Sequence, residues 1–165
     1  MSSSTPESLT AAVLTVSDSS ARGERSDLSG PAVADALRKA GFKVVAMEII
    51  SDDQLPIQKA IARHAEKARL VVTTGGTGIA KRDVTPEASR AVCDRLLEGV
   101  AEKMRFEGGK KTRFAALSRG ICGVRGESVI LNLPGSPAGA VDSLNAVIDL
   151  MPHALELLSG NTKHL

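Results

Sequence analysis

Short apolar runs that predict strands, the first two followed by a loop and a helical pattern, constrain the fold of this 165-residue chain most strongly. The runs are Ala11–Val16, Val44–Ile50 and Leu70–Thr73. Ala11–Val16 is nearly continuous, which is typical of a strand covered on both faces. Apolar residues at helical spacing follow the first two runs, at Val33, Ala36, Leu37, Ala40 and at Ile57, Ala60, Ile61, Ala65, Ala68. Strands alternating with helices predict an α/β fold in which helices cover a parallel sheet.

The carboxyl-terminal part departs from this alternation. Two strands, Gly120–Arg125 and Ser128–Leu131, lie close enough to form a hairpin around Gly126 and Glu127. The hairpin adds an antiparallel strand, so we expect a mixed sheet. Apolar residues at Ala140, Val141, Leu144, Val147 and Ile148 predict a helix, and Leu155 and Leu158 predict a second one after Pro152.

The length fits one domain with its own core. Residues 1–9 lack a charged start followed by an apolar run, so we expect a flexible tail rather than a secretory signal, with a single domain over residues 10–165. No stretch approaches the roughly 20 apolar residues that span a bilayer. We therefore expect a cytoplasmic protein without a membrane partner.

Composition argues against several classes of function. The 21 basic and 19 acidic residues leave a net charge of +2, which does not indicate a nucleic-acid partner. The chain has no Trp or Tyr and three Phe, too few to build a base-stacking surface. Its two cysteines, Cys93 and Cys122, do not form a metal-binding pattern, and we expect reduced, buried thiols.

Polar loops follow four of the predicted strands. They carry Ser17 and Asp18, then 51–53, then the glycine-rich segment 75–83, and finally 132–136. The carboxyl ends of parallel strands meet at one edge of a sheet, where ligands bind in open α/β folds. The four loops are therefore predicted to form one site.

Two interpretations of the glycine-rich segment stay open. Gly75, Gly76 and Gly78 allow a ligand to approach the backbone closely, but a tight turn after a buried strand uses the same residues. Asp83 favours a site, because Thr85 followed by Pro86 already suits the start of the next helix.

Carboxylates on neighbouring loops, with Lys and Arg nearby, suit Mg²⁺ bound between protein and phosphate oxygens. Asp52 and Asp53 lie on one such loop and Asp83 on another. The alternative for Asp53 is to cap the helix that follows it.

Other nucleotide and catalytic motifs are missing. Segment 108–112 resembles a Walker loop only superficially, since Met104 occupies the position of its first glycine, and no GxGxxG follows the first strand. His64, His153 and His164 are interpreted as structural or solvated residues.

With the loops placed, the chain resembles the molybdopterin-binding family of molybdenum cofactor biosynthesis. TTGGTGIAKRDVTPEA at 73–88 and NLPGSP at 132–137 resemble its two signatures. Shorter matches are LTVSD at 14–18, SDLSGP at 26–31, SDD at 51–53 and LSR at 117–119. Together they cover nearly everything after the tail.

The resemblance implies a three-layer α/β/α sandwich, commonly a homotrimer, similar to molybdopterin adenylyltransferases and to the related domain of gephyrin. In that reaction the terminal phosphate of molybdopterin attacks the α-phosphate of Mg-ATP and releases pyrophosphate. A downstream metal-insertion protein is a possible partner. The alternative is a pterin-binding carrier without turnover, because one sister branch of the family, which this chain's length suits, is not uniformly catalytic.

The resemblance also implies site residues. Asp52 and Asp83 would be catalytic and hold Mg²⁺, with Asp53 as a rival for the role of Asp52, and Arg105 and Lys110 as further phosphate contacts. Binding of ATP and the pterin is implied for Ser17, Asp18, Asp27, Ser29, Gly75, Gly76, Thr77, Gly78, Thr85, Ser118, Arg119, Asn132, Pro134, Gly135 and Ser136.

Overall fold

The structure is a computed structural model that describes residues 9–160. The predicted tail, apart from Leu9, and His164 lie outside the described residues. Within this range the strands are β1 (Thr10–Val16), β2 (Lys43–Ile50), β3 (Leu70–Thr74), β4 (Arg95–Leu96), β5 (Cys122–Arg125) and β6 (Ser128–Leu133). The helices are α1 (Asp18–Ala21), α2 (Ser29–Lys39), α3 (Gln54–Ala65), α4 (Thr85–Val92), α5 (Glu98–Gly109), α6 (Pro137–Val147) and α7 (Met151–Leu158).

The strands form one mixed sheet in the order β2-β1-β3-β6-β5-β4. The first four of these are mutually parallel, while β5 runs antiparallel to β6 and β4 antiparallel to β5. The predicted hairpin is present, and its turn uses Gly126 at a φ of +57°. The expectation of a mostly parallel, mixed sheet is therefore confirmed.

Helices cover both faces of the sheet and give three layers. The central strands β1, β3 and β6 are almost wholly buried, so apolar side chains on alternate residues point into two separate cores. Ala11 and Val13 pack with α2, α5, α6 and α7, whereas Leu14 and Val16 pack with α3 and α4. This is the predicted α/β/α sandwich.

Two local predictions fail. Helix α5 was missed because only Ala101 and Met104 are buried along it, which leaves too narrow an apolar stripe to recognise. The helix-capping role expected of Thr85 is wrong: Thr85 is the first residue of α4, and its hydroxyl donates to the carbonyl of Gly75 at 3.0 Å instead. Asp53 stands at the cap position of α3, but its side chain makes no capping hydrogen bond.

The topology creates a crevice beyond the carboxyl ends of β1 and β3. From β1 the chain crosses to β2 over one face through α2, and returns over the other face through α3 to place β3 on the opposite side of β1. Loops leaving β1 and β3 therefore diverge, which is where ligands bind in open α/β sheets. Among the helices of residues 9–160, none is long and apolar enough to cross a membrane.

Candidate active site

The four polar loops predicted to share one edge do meet there. A cavity of about 400 Å³ is lined by residues from every one of them, namely Ser17, Asp52, Gly76, Asp83 and Ser136. These residues follow β1, β2, β3 and β6, the four parallel strands. The prediction of a shared edge is thus confirmed in geometry, while the binding roles of the residues remain predictions.

Asp18 and Asp52 connect the first two loops. The backbone N–H of Asp18 donates to Oδ2 of Asp52, and the backbone N–H of Asp52 donates to Oδ1 of Asp18, both at 2.9 Å. Both carboxylates are thereby held in fixed orientations, because each satisfies a backbone donor of the other loop.

Arg82 adds the third loop to this pair. Its Nε and Nη2 donate to the two oxygens of Asp18 at 3.0 and 2.9 Å, and Nη2 also lies 3.1 Å from Oδ1 of Asp53. The side-chain hydrogen bond from Arg82, followed by the backbone N–H of Asp52, lowers the pKa of Asp18 to about 2. Asp18 is therefore ionised throughout the neutral range and its charge is paired.

Asp52 is in a different electrostatic state. Burial raises its pKa above the ordinary value, and the charges of Asp18 and Asp83 act in the same direction, against the hydrogen bond from the Asp18 N–H. Neighbouring like charges and partial burial both disfavour the ionised carboxylate, and a bound cation relieves both.

Geometry separates Asp52 from its rival Asp53. The Asp53 side chain is 48% exposed and is paired with Arg82. It lines neither of the two cavities that border the glycine-rich loop, whereas Asp52 lines the smaller one. The structure thus favours Asp52 as the carboxylate available to a ligand.

The paired glycines are required by internal packing. Gly75 has a φ of +105°, and a Cβ atom there would lie 2.3 Å from the carbonyl oxygen of Val16. Gly76 has a φ of +68°, and its Cβ would lie 2.3 Å from Oγ1 of Thr85. The turn explanation therefore accounts for both glycines, and close approach of a ligand to them stays a prediction.

Arg119 holds the same loop from the other side. Its Nε donates to the carbonyl of Gly78 at 2.8 Å, Nη2 to the carbonyl of Asp83 at 2.7 Å, and Nη1 to the carboxylate of Glu87 at 2.6 Å. All three guanidinium nitrogens thus donate within the protein. These contacts indicate a role in fixing the position of Asp83, and the predicted phosphate contact would require some of them to be exchanged.

The side chain of Asn132 is buried and hydrogen-bonded inside the protein. It is 1% exposed, its Nδ2 donates to the hydroxyls of Thr73 and Ser89 at 3.0 and 2.9 Å, and its Oδ1 accepts from the Ile121 N–H at 3.1 Å. Because these bonds use both amide hydrogens, the side chain anchors the start of its loop. Asn132 also lines the larger cavity beside the glycine-rich loop, and its contact with a pterin stays a prediction.

The remaining predicted residues form the walls. Asp27 accepts from the Thr15 hydroxyl at 2.8 Å and from the Gly30 N–H at 2.9 Å, which fixes the first turn of α2 and the buried Ser29. Ser136 caps α6, accepting from the Gly139 N–H at 3.2 Å. Two helix N-termini therefore border the smaller cavity, which favours an anionic ligand.

Two cavities meet at the glycine-rich loop. The larger, of about 540 Å³, lies against α5 and is lined by Thr77, Gly78, Ser118 and Pro134 among others. It shares Gly76, Asp83, Gly135 and Ser136 with the smaller cavity. The arrangement offers two ligands neighbouring places on either side of Asp83.

Several residues of the larger cavity were missed by the sequence interpretation. Lys111, paired with Asp142 at 2.8 Å, and Phe114 line it, as does the predicted Arg105. Lys110 does not: it pairs with Glu107 on the surface. The missed residues lie just after α5, and no clear signal in the sequence marks that helix because only Ala101 and Met104 are buried along it.

Among residues 9–160, no group of three or more His, Cys, Asp or Glu side chains is arranged to hold a metal ion. In sites that bind phosphates, Mg²⁺ is commonly held by one or two carboxylates together with phosphate oxygens and water.

Comparisons with known proteins agree with this geometry. The chain is 39% identical over 153 residues to a molybdopterin adenylyltransferase of Helicobacter pylori strain J99, covering 90% of this chain and 87% of that protein. It is 48% identical to the molybdopterin biosynthesis enzyme MoaB of Thermus thermophilus, with a TM-score of 0.86 over 92% of this chain and 97% of the other. The tungsten cofactor synthesizing protein MoaB of Pyrococcus furiosus is 32% identical, with a TM-score of 0.85 over 93% and 99% of the two chains.

The family model agrees with these individual similarities. A model described as a probable molybdopterin binding domain matches residues 12–153, which span every strand of the sheet almost completely. Fold, loop placement and sequence similarity point the same way, and the chain belongs to the molybdopterin-binding domain family.

Proposed function

We propose that the protein is a molybdopterin adenylyltransferase that acts in molybdenum cofactor biosynthesis. A terminal phosphate oxygen of molybdopterin attacks the α-phosphorus of ATP, the bond between the α- and β-phosphates breaks, and pyrophosphate leaves with the electron pair. The observation that carries this proposal is the pair of cavities meeting at Asp83. The names of the relatives support it.

The side chains around the cavities suit this reaction. A phosphate monoester is largely ionised at neutral pH, so the nucleophile needs no strong general base, and alignment with charge neutralisation supplies the catalysis. No histidine lines either cavity within residues 9–160. The site thus offers hydroxyls, backbone N–H groups and cations, which bind and orient phosphates.

Asp52 and Asp83 are suited to hold Mg²⁺. Asp52 accepts the Asp18 N–H through its Oδ2, and Asp83 accepts the Ala80 N–H through its own Oδ2. Within the described part of the chain, the Oδ1 atom of each residue accepts no hydrogen bond. Both residues line the smaller cavity. When bound, the ion neutralises charge on phosphate oxygens. The protein's part is to hold the two carboxylates in place, through Asp18 for Asp52 and through Arg119 for the loop of Asp83.

The decisive experiment is a product assay. Purified protein is incubated with molybdopterin and Mg-ATP, and adenylylated molybdopterin and pyrophosphate are measured, with a parallel reaction in which EDTA removes the divalent cation. We expect both products only in the presence of the cation. Intact molybdopterin binding without product would reject the enzyme and leave the pterin-binding carrier.

The wider setting is also proposed on the family resemblance. The chain would act as a cytoplasmic homotrimer and pass its product to a metal-insertion protein. Light scattering measures the mass of the purified protein in solution. We expect a mass of three chains, and a mass of one or two chains would contradict the homotrimer.

A further inference from the structure

Arg82 lies at the centre of the charged residues at this edge of the sheet. Its guanidinium makes a two-point contact with Asp18, at 3.0 and 2.9 Å, and reaches Asp53 at 3.1 Å. Planar two-point pairing of this kind fixes the orientation of both partners, which a lysine in the same place does not achieve.

The contacts of Arg82 divide the carboxylates into two classes. Asp18 and Asp53 are paired with its positive charge. Asp52 and Asp83, by contrast, each keep one oxygen that accepts no hydrogen bond from the described residues. The two carboxylates that Arg82 does not contact are therefore the two that keep an open oxygen.

A short chain of contacts also connects Arg82 to Asp52. Asp18, held by Arg82, accepts the backbone N–H of Asp52 and donates its own N–H to the Asp52 carboxylate. Arg82 is the neighbour of Asp83 in sequence. Arg82 thus connects the loop of Asp83 to the loop of Asp52 through the carboxylate of Asp18.

We propose that Arg82 is a positioning residue that holds Asp52 and Asp83 at the spacing needed for a divalent cation, while it neutralises Asp18 and Asp53 so that they do not compete for that cation. The proposal rests on the function proposed above and deepens it. Arg82 acts through the aspartates and needs no contact with either substrate.

A role for Arg82 in overall stability would predict a lower melting temperature when the side chain is removed. Its side chain is 58% exposed, and exposed ion pairs contribute little to folding stability. Under the positioning role, Arg82→Ala should therefore leave the melting temperature nearly unchanged and alter only the geometry of the loops.

Backbone amide exchange tests the positioning directly, without substrates. In Arg82→Ala the N–H groups of Asp18 and Asp52 are expected to exchange with solvent about tenfold faster or more, because their carboxylate acceptors lose orientation. Arg82→Lys should restore this protection in part. Lys81→Ala, which removes the same charge one residue away, is the matched control and should leave both amides unchanged, as should amides of β3 in all variants.

Cation binding is tested with Mn²⁺ and α,β-methylene-ATP as probes, followed by electron paramagnetic resonance. The affinity for Mn²⁺ should fall about 10-fold or more in Arg82→Ala, as it does when residues that orient metal ligands are lost, and less in Lys81→Ala. In turnover, the same variant should need more Mg²⁺ for half-maximal rate.

The outcomes separate this proposal from the function on which it rests. Unchanged exchange at Asp18 and Asp52 in Arg82→Ala overturns the positioning role, and unchanged Mn²⁺ affinity overturns the selection of the carboxylates. A wild-type protein that makes no adenylylated product rejects the proposed function, yet the exchange and Mn²⁺ measurements still decide the role of Arg82. Wild-type protein that binds no Mn²⁺ rejects the cation site itself.

Discussion

Asp18 and Asp52 hold each other through their backbones: each carboxylate accepts the main-chain N–H of the other residue at 2.9 Å. The Asp18 carboxylate also accepts hydrogen bonds from Arg82. Oδ1 of Asp52, by contrast, lies close to Gly76 and accepts no hydrogen bond from the described residues. The two aspartates of this reciprocal pair therefore have different roles. The first fixes the loops, and the second faces the cavity.

This difference predicts unequal effects of substitution on the loop after β2. Asp52→Asn should lower kcat for adenylylation by about 10²-fold or more, since a carboxylate proposed to hold Mg²⁺ against the phosphates is lost. Asp53→Asn should retain most of the rate, because Asp53 faces Arg82 and not a cavity. Steady-state kinetics at saturating Mg²⁺ measure both, and equal losses would contradict the assignment.

Asp83 borders both cavities, so its charge matters more for turnover than for binding either ligand. Asp83→Asn should reduce kcat by about 10²-fold or more while the binding of molybdopterin remains measurable. Asp35→Asn, on the exposed face of α2 and paired with Arg38, is the control of equal charge change. Cellular molybdoenzyme activity that survives Asp83→Asn would support the carrier instead.

Gly75 is predicted to tolerate no side chain. Gly75→Ala combines a positive φ with a clash against the Val16 carbonyl, which is backbone and cannot swing away, and should lower the free energy of unfolding by about 2–4 kcal/mol. Gly126→Ala also has a positive φ but meets nothing within 4 Å. It should cost only about 1 kcal/mol. Urea unfolding of both variants separates the clash from the backbone strain, and similar losses would refute the clash.

Arg119 is predicted to stabilise the loop of Asp83 rather than to bind phosphate. Arg119→Lys cannot reproduce contacts to Gly78, Asp83 and Glu87 at once, and should lower the free energy of unfolding by about 1–3 kcal/mol. Arg38→Ala, which removes an exposed pair on α2, should change it by less than about 1 kcal/mol. A stable Arg119→Lys variant with a raised KM for ATP would favour the phosphate contact.

The two thiols should be unreactive in the folded protein. Burial raises the pKa of Cys93 to about 11 and that of Cys122 to about 12. Both thiols therefore stay protonated at pH values at which an unfolded cysteine is already ionised. Alkylation with iodoacetamide at about pH 8 should be slow until denaturant is added. An unfolded thiol has a pKa near 9, below the pKa values of both thiols in the folded protein. Above about pH 9, unfolding therefore releases protons, and the free energy of unfolding falls as the pH rises toward the folded-state pKa values. Rapid alkylation of native protein would show that one of them is accessible.

The sequence pattern was sufficient to predict five of the six strands in residues 9–160, and β1, β3 and β6 are buried on both faces. The edge strand β4 was missed because two residues carry no periodicity. Loop placement followed from the parallel order alone. Helix α5 and the larger cavity beside it were not predicted, because the two buried residues of this helix make no recognisable apolar stripe. The contacts of Arg82 and Arg119 were also not predicted, because their partners lie 29 to 64 positions away in the chain and no local pattern records such contacts.

The shared wall of Gly76, Asp83, Gly135 and Ser136 has a consequence for how the proposed reaction ends. In the proposed reaction, a product that joins both substrates would occupy both cavities at once and could keep the contacts that each substrate makes separately. Pyrophosphate would occupy only part of that space. We therefore expect the adenylylated product to dissociate more slowly than pyrophosphate.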